Sequence, residues 1–82
     1  NPFNPQTTIK YHLDVSAEIR LQVFNMRGQL IRTLYAGMQS TGTHSVIWNS
    51  RDDSGHNMAS GVYLIQLQCG PRCRQIKAVL LR

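Results

Sequence analysis

An all-β sandwich of six to seven short antiparallel strands is the fold class that three features of this sequence predict. Apolar and polar residues alternate in several short runs, the period of a strand with one buried face. Glycine-, asparagine- and aspartate-bearing turn signals separate those runs at close spacing. No stretch holds a helical apolar period long enough for a helix to be stable in its own right.

The elements follow in order. Asn1-Pro2-Phe3-Asn4-Pro5 disfavours helix at both Asn-Pro steps, so residues 1–7 are expected to be a lead-in with Phe3 as its apolar anchor, and residues 8–82 a single domain. Ile9, Tyr11 and Leu13 share one face of a first strand, with His12 on the polar face. Ile19, Leu21 and Val23 do the same in a second, which leaves Phe24 on the outer face. Asn25-Met26-Arg27-Gly28 is a type I turn by composition, with a glycine for the positive φ that follows it. The run from Leu30 to Ala36 returns as a strand, although Leu30, Ile31 and Leu34 also fit a helical spacing. Strand wins because the segment between Gly28 and Gly37 is too short for an isolated helix.

Thr43 to Asn49 carries His44, Val46 and Trp48 on one face and turns Ile47 away. A long polar loop then runs to Gly61. Its interior has one sizeable apolar side chain, Met58, expected to plug inward, and Asp53-Ser54-Gly55 supplies a turn. Trp48, Asp52, Asp53, Gly55, Gly61 and Tyr63 are therefore read as a structural loop, with both aromatics in the core and a restricted backbone at Gly61. Val62 to Cys69 has the strongest strand composition, and after Gly70-Pro71-Arg72 the chain returns from Arg74 to Arg82. The whole pattern is that of an immunoglobulin-like β-sandwich, with a small closed barrel as the other architecture.

Composition narrows the chemistry. Eighty-two residues bury only roughly 60% of the unfolded surface, which disfavours a large catalytic cleft. With 41% apolar and 16% charged residues the chain is globular in character rather than disordered. The net charge is +5, and no acidic residue follows Asp53, so the C-terminal end, with Arg72, Arg74, Lys77 and Arg82, is where an acidic partner would first be met. No run approaches the roughly 18 apolar residues of a transmembrane segment. The chain opens without Met, and a longer parent with its targeting segment upstream is expected.

His12, His44 and His56 lack the spacing of a catalytic or metal site, so no cofactor and no enzymatic role is expected. The Asn49 to Asn57 cluster lacks the alternating carboxylate ladder and downstream glutamate of a calcium loop, and turn chemistry explains the same composition. Basic residues are not interleaved with exposed aromatics, which argues against nucleic acid. Cys69 and Cys73 are expected to face each other across a hairpin, where a disulfide in an oxidising compartment and two free thiols are both open.

Six segments, in order, carry a resemblance. They are Asn-Pro-Phe-Asn-Pro-x-Thr-Thr-Ile-x-Tyr at the start, Val-Phe-Asn-Met-Arg-Gly-Gln in the first hairpin, Gly-Thr-His-Ser-Val-Ile-Trp-Asn before the loop, Arg-Asp-Asp-Ser-Gly and Ala-Ser-Gly-Val-Tyr within and after it, and Lys-Ala-Val-Leu-Leu-Arg at the end. Together they resemble the C-terminal sorting domain of type IX secretion cargo, over essentially the whole chain. That family is in turn similar to the immunoglobulin-like part of the flagellar hook-capping protein, which shares the Trp-loop-Gly-x-Tyr segment.

The resemblance implies a non-catalytic address that takes an upstream passenger domain through the periplasm of a Gram-negative bacterium. The implied partners are the type IX translocon with its sorting-domain receptor and a C-terminal signal peptidase, and the destination is the cell surface or medium. Carried over residue by residue, Lys77, Val79, Leu80, Leu81 and Arg82 are the recognition strand, whose edge would be augmented by the receptor. Asn49-Ser50 departs from the Asp-Gly the family often has, and Cys69 with Cys73 is not a family feature. The alternative is an immunoglobulin-like accessory module that binds glycan, through an exposed aromatic such as Tyr35, or packs on a catalytic domain.

Overall fold

The computed structural model describes residues 6–81. Residues 1–5, including Phe3, and Arg82 lie outside that range. Six strands follow in order: β1 (Thr7–Leu13), β2 (Ala17–Asn25), β3 (Leu30–Gln39), β4 (Gly42–Trp48), β5 (Gly61–Cys69) and β6 (Arg72–Leu80). They form two antiparallel sheets, one of four strands in the order β3-β2-β5-β6 and one of two, β1-β4. This is the immunoglobulin-like sandwich expected from the alternation of the sequence.

The core is what that alternation places inside: Ile9, Tyr11 and Leu13 from β1, Ile19, Leu21 and Val23 from β2, Tyr63 and Ile65 from β5, Trp48 from β4 and Leu80 from β6. Trp48 is fully buried and is the largest such side chain. Its ring meets Tyr63 edge-on, 5.2 Å between centroids at 67°. Its indole Nε1–H donates to the Arg51 carbonyl at 2.9 Å, so the one polar atom taken into the core with it is satisfied.

β3 departs from a strict period of two. Its pairing with β2 shifts register between Leu21 and Gln22 and again between Val23 and Phe24, which leaves Leu34 and Ile31 as the extra residues. Both bulged residues pack on the core with Tyr35. Two bulges in one strand thus produce the helix-like apolar spacing seen in the sequence. The turn before it is as expected: Asn25 Oδ1 accepts from the backbone N–H groups of Arg27 (2.9 Å) and Gln29 (3.0 Å), and Gly28 has φ 83°.

The loop between β4 and β5 contains a small hairpin of its own. Arg51 and Asn57 form an isolated antiparallel bridge, Asp52 N–H donates to the His56 carbonyl and Gly55 N–H to the Asp52 carbonyl, both at 3.0 Å, and Gly55 has φ 87°. Asp52 Oδ1 accepts from the backbone N–H groups of His56 (2.8 Å) and Ser54 (3.0 Å). The hairpin docks on the outer edge of β3: Asp53 N–H donates to the Ile31 carbonyl at 3.0 Å, Asp53 Oδ1 accepts from Thr33 N–H at 3.2 Å, and Arg32 donates to the Asp52 carbonyl at 3.2 Å. Met58 packs on the core, and its N–H donates to the Ser50 carbonyl at 2.8 Å. The buried Ser50 has φ 66°, so the position where the resembled family often has glycine keeps a left-handed backbone here. Gly61 has φ 159° with open space where a Cβ would stand, so backbone conformation, not crowding, restricts it.

The β5–β6 hairpin corrects the expected facing of the cysteines. Cys69 stands opposite Arg72, and Cys73 opposite Gln68. Cross-strand partners share a face and neighbours in sequence do not, so Cys69 turns toward the core and Cys73 away from it. Both are free thiols.

Three outcomes are expected. Trp48→Phe, which removes ring volume and leaves the Arg51 carbonyl without its donor, lowers unfolding free energy by about 2 kcal/mol in urea titrations. Under native conditions a thiol alkylating reagent modifies Cys73 well before Cys69, as read by mass spectrometry, and the folded chain forms no internal disulfide on oxidation. The Asp52 carboxyl is held below its usual range, chiefly by the His56 backbone N–H, with the His56 imidazole adding to it. Stability from that depression is complete above the unfolded-state value and is lost as pH falls through the folded one. Asp52→Asn therefore melts at a lower temperature than the native chain at neutral pH, and the gap closes below about pH 4.

Candidate functional site

The polar loop, its aspartates and its two aromatics are committed to the fold. Tyr63 is buried and its hydroxyl donates to the Ala59 carbonyl at 2.7 Å. Each histidine is tied to local partners rather than to a shared centre. His12 lies 3.2 Å from Thr43 Oγ1 and 3.4 Å from Asp14. His44 lies 2.8 Å from the Ser40 carbonyl, with its ring near Tyr11, and His56 lies 3.5 Å from Asp52. Among the described residues no group of three or more His, Cys, Asp or Glu side chains could hold a metal ion. Tyr35, the aromatic that a sugar-binding reading would use, is half-buried, and its hydroxyl donates to the Met38 carbonyl at 2.6 Å.

β6 is different in kind. It is an edge of the four-stranded sheet, so the backbone groups along its outer side have no strand partner among the described residues. Every residue from Arg72 to Lys77 is exposed. Lys77 stands opposite Leu64 and Val79 opposite Val62, on the face turned away from the core. Val79 is 62% and Leu81 75% exposed, whereas Leu80 is 2% exposed.

Of the five residues expected to form the recognition strand, Lys77, Val79 and Leu81 are thus presented to solvent, Leu80 is a core residue that anchors the strand, and Arg82 lies outside the described range. The period of two explains the division, since a strand that completes a sandwich must give alternate side chains to the core. Of the apolar residues that share the outer face with Val79, the sequence placed only Phe24 there and did not relate it to β6. Val62 on β5 is also exposed, and Phe24 and Leu64 lie half-buried on the same outer face. Phe24 and Leu64 are cross-strand partners, so this apolar strip crosses from β2 to β6.

Comparison with known proteins agrees with the fold. The model of the FlgD Ig-like domain family matches residues 4–69, from before β1 to the last residue of β5, and leaves β6 outside the match. No curated protein matches the sequence. The fold is similar to that of FlgD from P. aeruginosa, with a TM-score of 0.74 at 22% identity over 94% of this chain and 62% of that one. It is also similar to part of PorZ, an essential bacterial surface component of the type IX secretion system of Porphyromonas gingivalis. That match has a TM-score of 0.53 at 25% identity and covers 80% of this chain but 8% of PorZ. The chain therefore spans less than two thirds of the length of either protein. Since the family model takes in five of the six strands, with the tryptophan and loop that hold the two sheets together, this chain belongs to the FlgD Ig-like domain family.

Proposed function

We propose that this domain is a non-catalytic C-terminal sorting domain, which directs an upstream passenger through the type IX outer-membrane translocon to the cell surface or medium of a Gram-negative bacterium. The observation that carries the reading is β6, an edge strand whose outer side has no strand partner among the described residues, whose exposed side chains include Lys77 and Val79 and whose one fully buried residue, Leu80, fastens it to the core. The likeness to a portion of PorZ, itself a component of that secretion system, supports it, as do the six ordered sequence segments.

In this reading the receptor adds a strand to the outer edge of β6. Main-chain hydrogen bonds provide the affinity, and Lys77, Val79 and Leu81 distinguish this strand from other sheet edges. Asp53, the last acid in the chain, is docked on β3 at the opposite edge of the sheet, and β6 itself carries Arg72, Arg74 and Lys77 and no acid, a charge that would speed encounter with an acidic surface. A signal peptidase then separates domain from passenger.

Deleting residues 77–82 would also remove Leu80 from the core, so the discriminating variant is Lys77→Glu combined with Val79→Asp, both on exposed positions. Fused to its passenger and expressed in a bacterium with a type IX system, the double variant should keep a native melting temperature and leave the passenger in the periplasmic fraction. Passenger release to the surface or medium at the native level would overturn the proposal.

A further inference from the structure

The two sheets differ in width, and the difference leaves a strip of the larger one uncovered. Three inward-facing rows run across the four-stranded sheet: Val23–Ile65–Ile76, Leu21–Leu67–Arg74 and Ile19–Cys69–Arg72. Within the first, Val23 is 0% and Ile65 2% exposed, yet Ile76 is 54% exposed. Arg72 and Arg74 end the other two rows in solvent. The cause is on the other layer. β1 pairs with β4 on one side and, among the described residues, has no strand partner on the other.

What lies between the free side of β1 and the inner face of β6 is a cleft of about 140 Å³, walled by Ile9 and Tyr11 and by Leu67, Arg74 and Ile76. A second depression of about 540 Å³ shares Leu67 and Arg74 with it and continues the groove past Leu13 to Arg72. Strands in a sheet lie about 4.8 Å apart, so one strand added to β1 would occupy this groove and cover β6.

We propose that this groove receives one extended polypeptide strand from a partner, added to the free edge of β1, with an apolar side chain over Ile76 and carboxylates facing Arg74 and Arg72. Spacing fixes that chemistry. Arg72, Arg74 and Ile76 are two residues apart along β6, roughly 7 Å each, which is the repeat of alternate side chains on an added strand. Charge fixes it too: Lys10, Arg72 and Arg74 border the groove against a single acid, Asp14, which His12 already meets at 3.4 Å. A neutral partner would leave the arginines without counter-charges, and a basic one would be repelled. The site is separate from the outer edge of β6 and does not rest on the sorting role.

The probe is a fluorescein-labelled peptide, Thr-Thr-Val-Thr-Glu-Thr-Glu-Thr-Thr, together with its reversed sequence, since the strand can run in either direction. A third peptide of the same composition with its two glutamates adjacent, and so on opposite faces of a strand, is the control. With the intact domain, at least one of the first two should bind saturably with a dissociation constant below about 100 µM and slow the amide exchange of Ile9 to Leu13. Arg72→Glu with Arg74→Glu, both at exposed positions, should keep the native melting temperature and weaken binding at least about tenfold.

Absence of saturable binding by both peptides would overturn the proposal, as would equal binding of the adjacent-glutamate control or undiminished binding by the double variant. Protection that falls on the outer edge of β6 instead of β1 would assign the peptide to the other surface. Concentration-dependent self-association that protects β1 without peptide would mean that a second copy fills the groove.

Discussion

Four strands packed against two set the terms for this domain. A two-stranded sheet cannot cover the whole inner face of a four-stranded one, and among the described residues no further strand covers the remainder. Trp48 supplies much of the difference at the centre. It is the largest fully buried side chain, it meets Tyr63 across the layers, and its indole N–H fixes the first residues of the loop that follows. Buried area and a satisfied donor act together here: the ring could not be taken inside at low cost if the loop did not turn the Arg51 carbonyl toward it.

The loop completes one flank. By donating to Ile31 and accepting from Thr33, Asp53 does for the edge of β3 part of what a neighbouring strand would do, and Arg32 adds a third bond. A sheet edge so occupied is a poor template for another chain. The polar residues that give the loop the look of a binding site are used for this docking and for the internal turn around Asp52. The opposite flank, β6, has no such cover among the described residues, and it exposes Ile76 and Val79 beside its unpaired outer edge.

Where burial was decided by local period, the sequence was readable. Ile9, Tyr11 and Leu13, and again Ile19, Leu21 and Val23, are buried in the alternation their spacing predicts, and Trp48 and Tyr63 are core residues as expected. β3 was ambiguous for a physical reason, since two bulges add a residue each and move Ile31 and Leu34 out of step. The cysteines were misplaced because their facing depends on turn length. A two-residue turn at Gly70-Pro71 pairs Cys69 with Arg72, and one residue more or less would have changed the parity. The docking of the loop on β3 was not readable at all, because it joins residues 20 positions apart that no local pattern relates.

β6 shows how a strand can look plain in sequence and be singular in the fold. Its side chains alternate between two surfaces, Lys77 and Val79 on one and Arg72, Arg74 and Ile76 on the other, while its backbone edge faces a third direction. Because the alternation separates these surfaces, a change at Lys77 or Val79 leaves the inner groove chemically intact, and a change at Arg72 or Arg74 leaves the outer face so. Leu80 ties both to the same core. A partner at the edge would extend the large sheet, whereas a partner in the groove would widen the small one, and only the second relieves the mismatch in width between the layers. Exposure of Ile76 at 54%, in register with a buried Ile65, is the local measure of that mismatch. An apolar side chain over Ile76 would therefore gain burial that the isolated domain forgoes, and the arginines beside it decide which partners can supply that side chain.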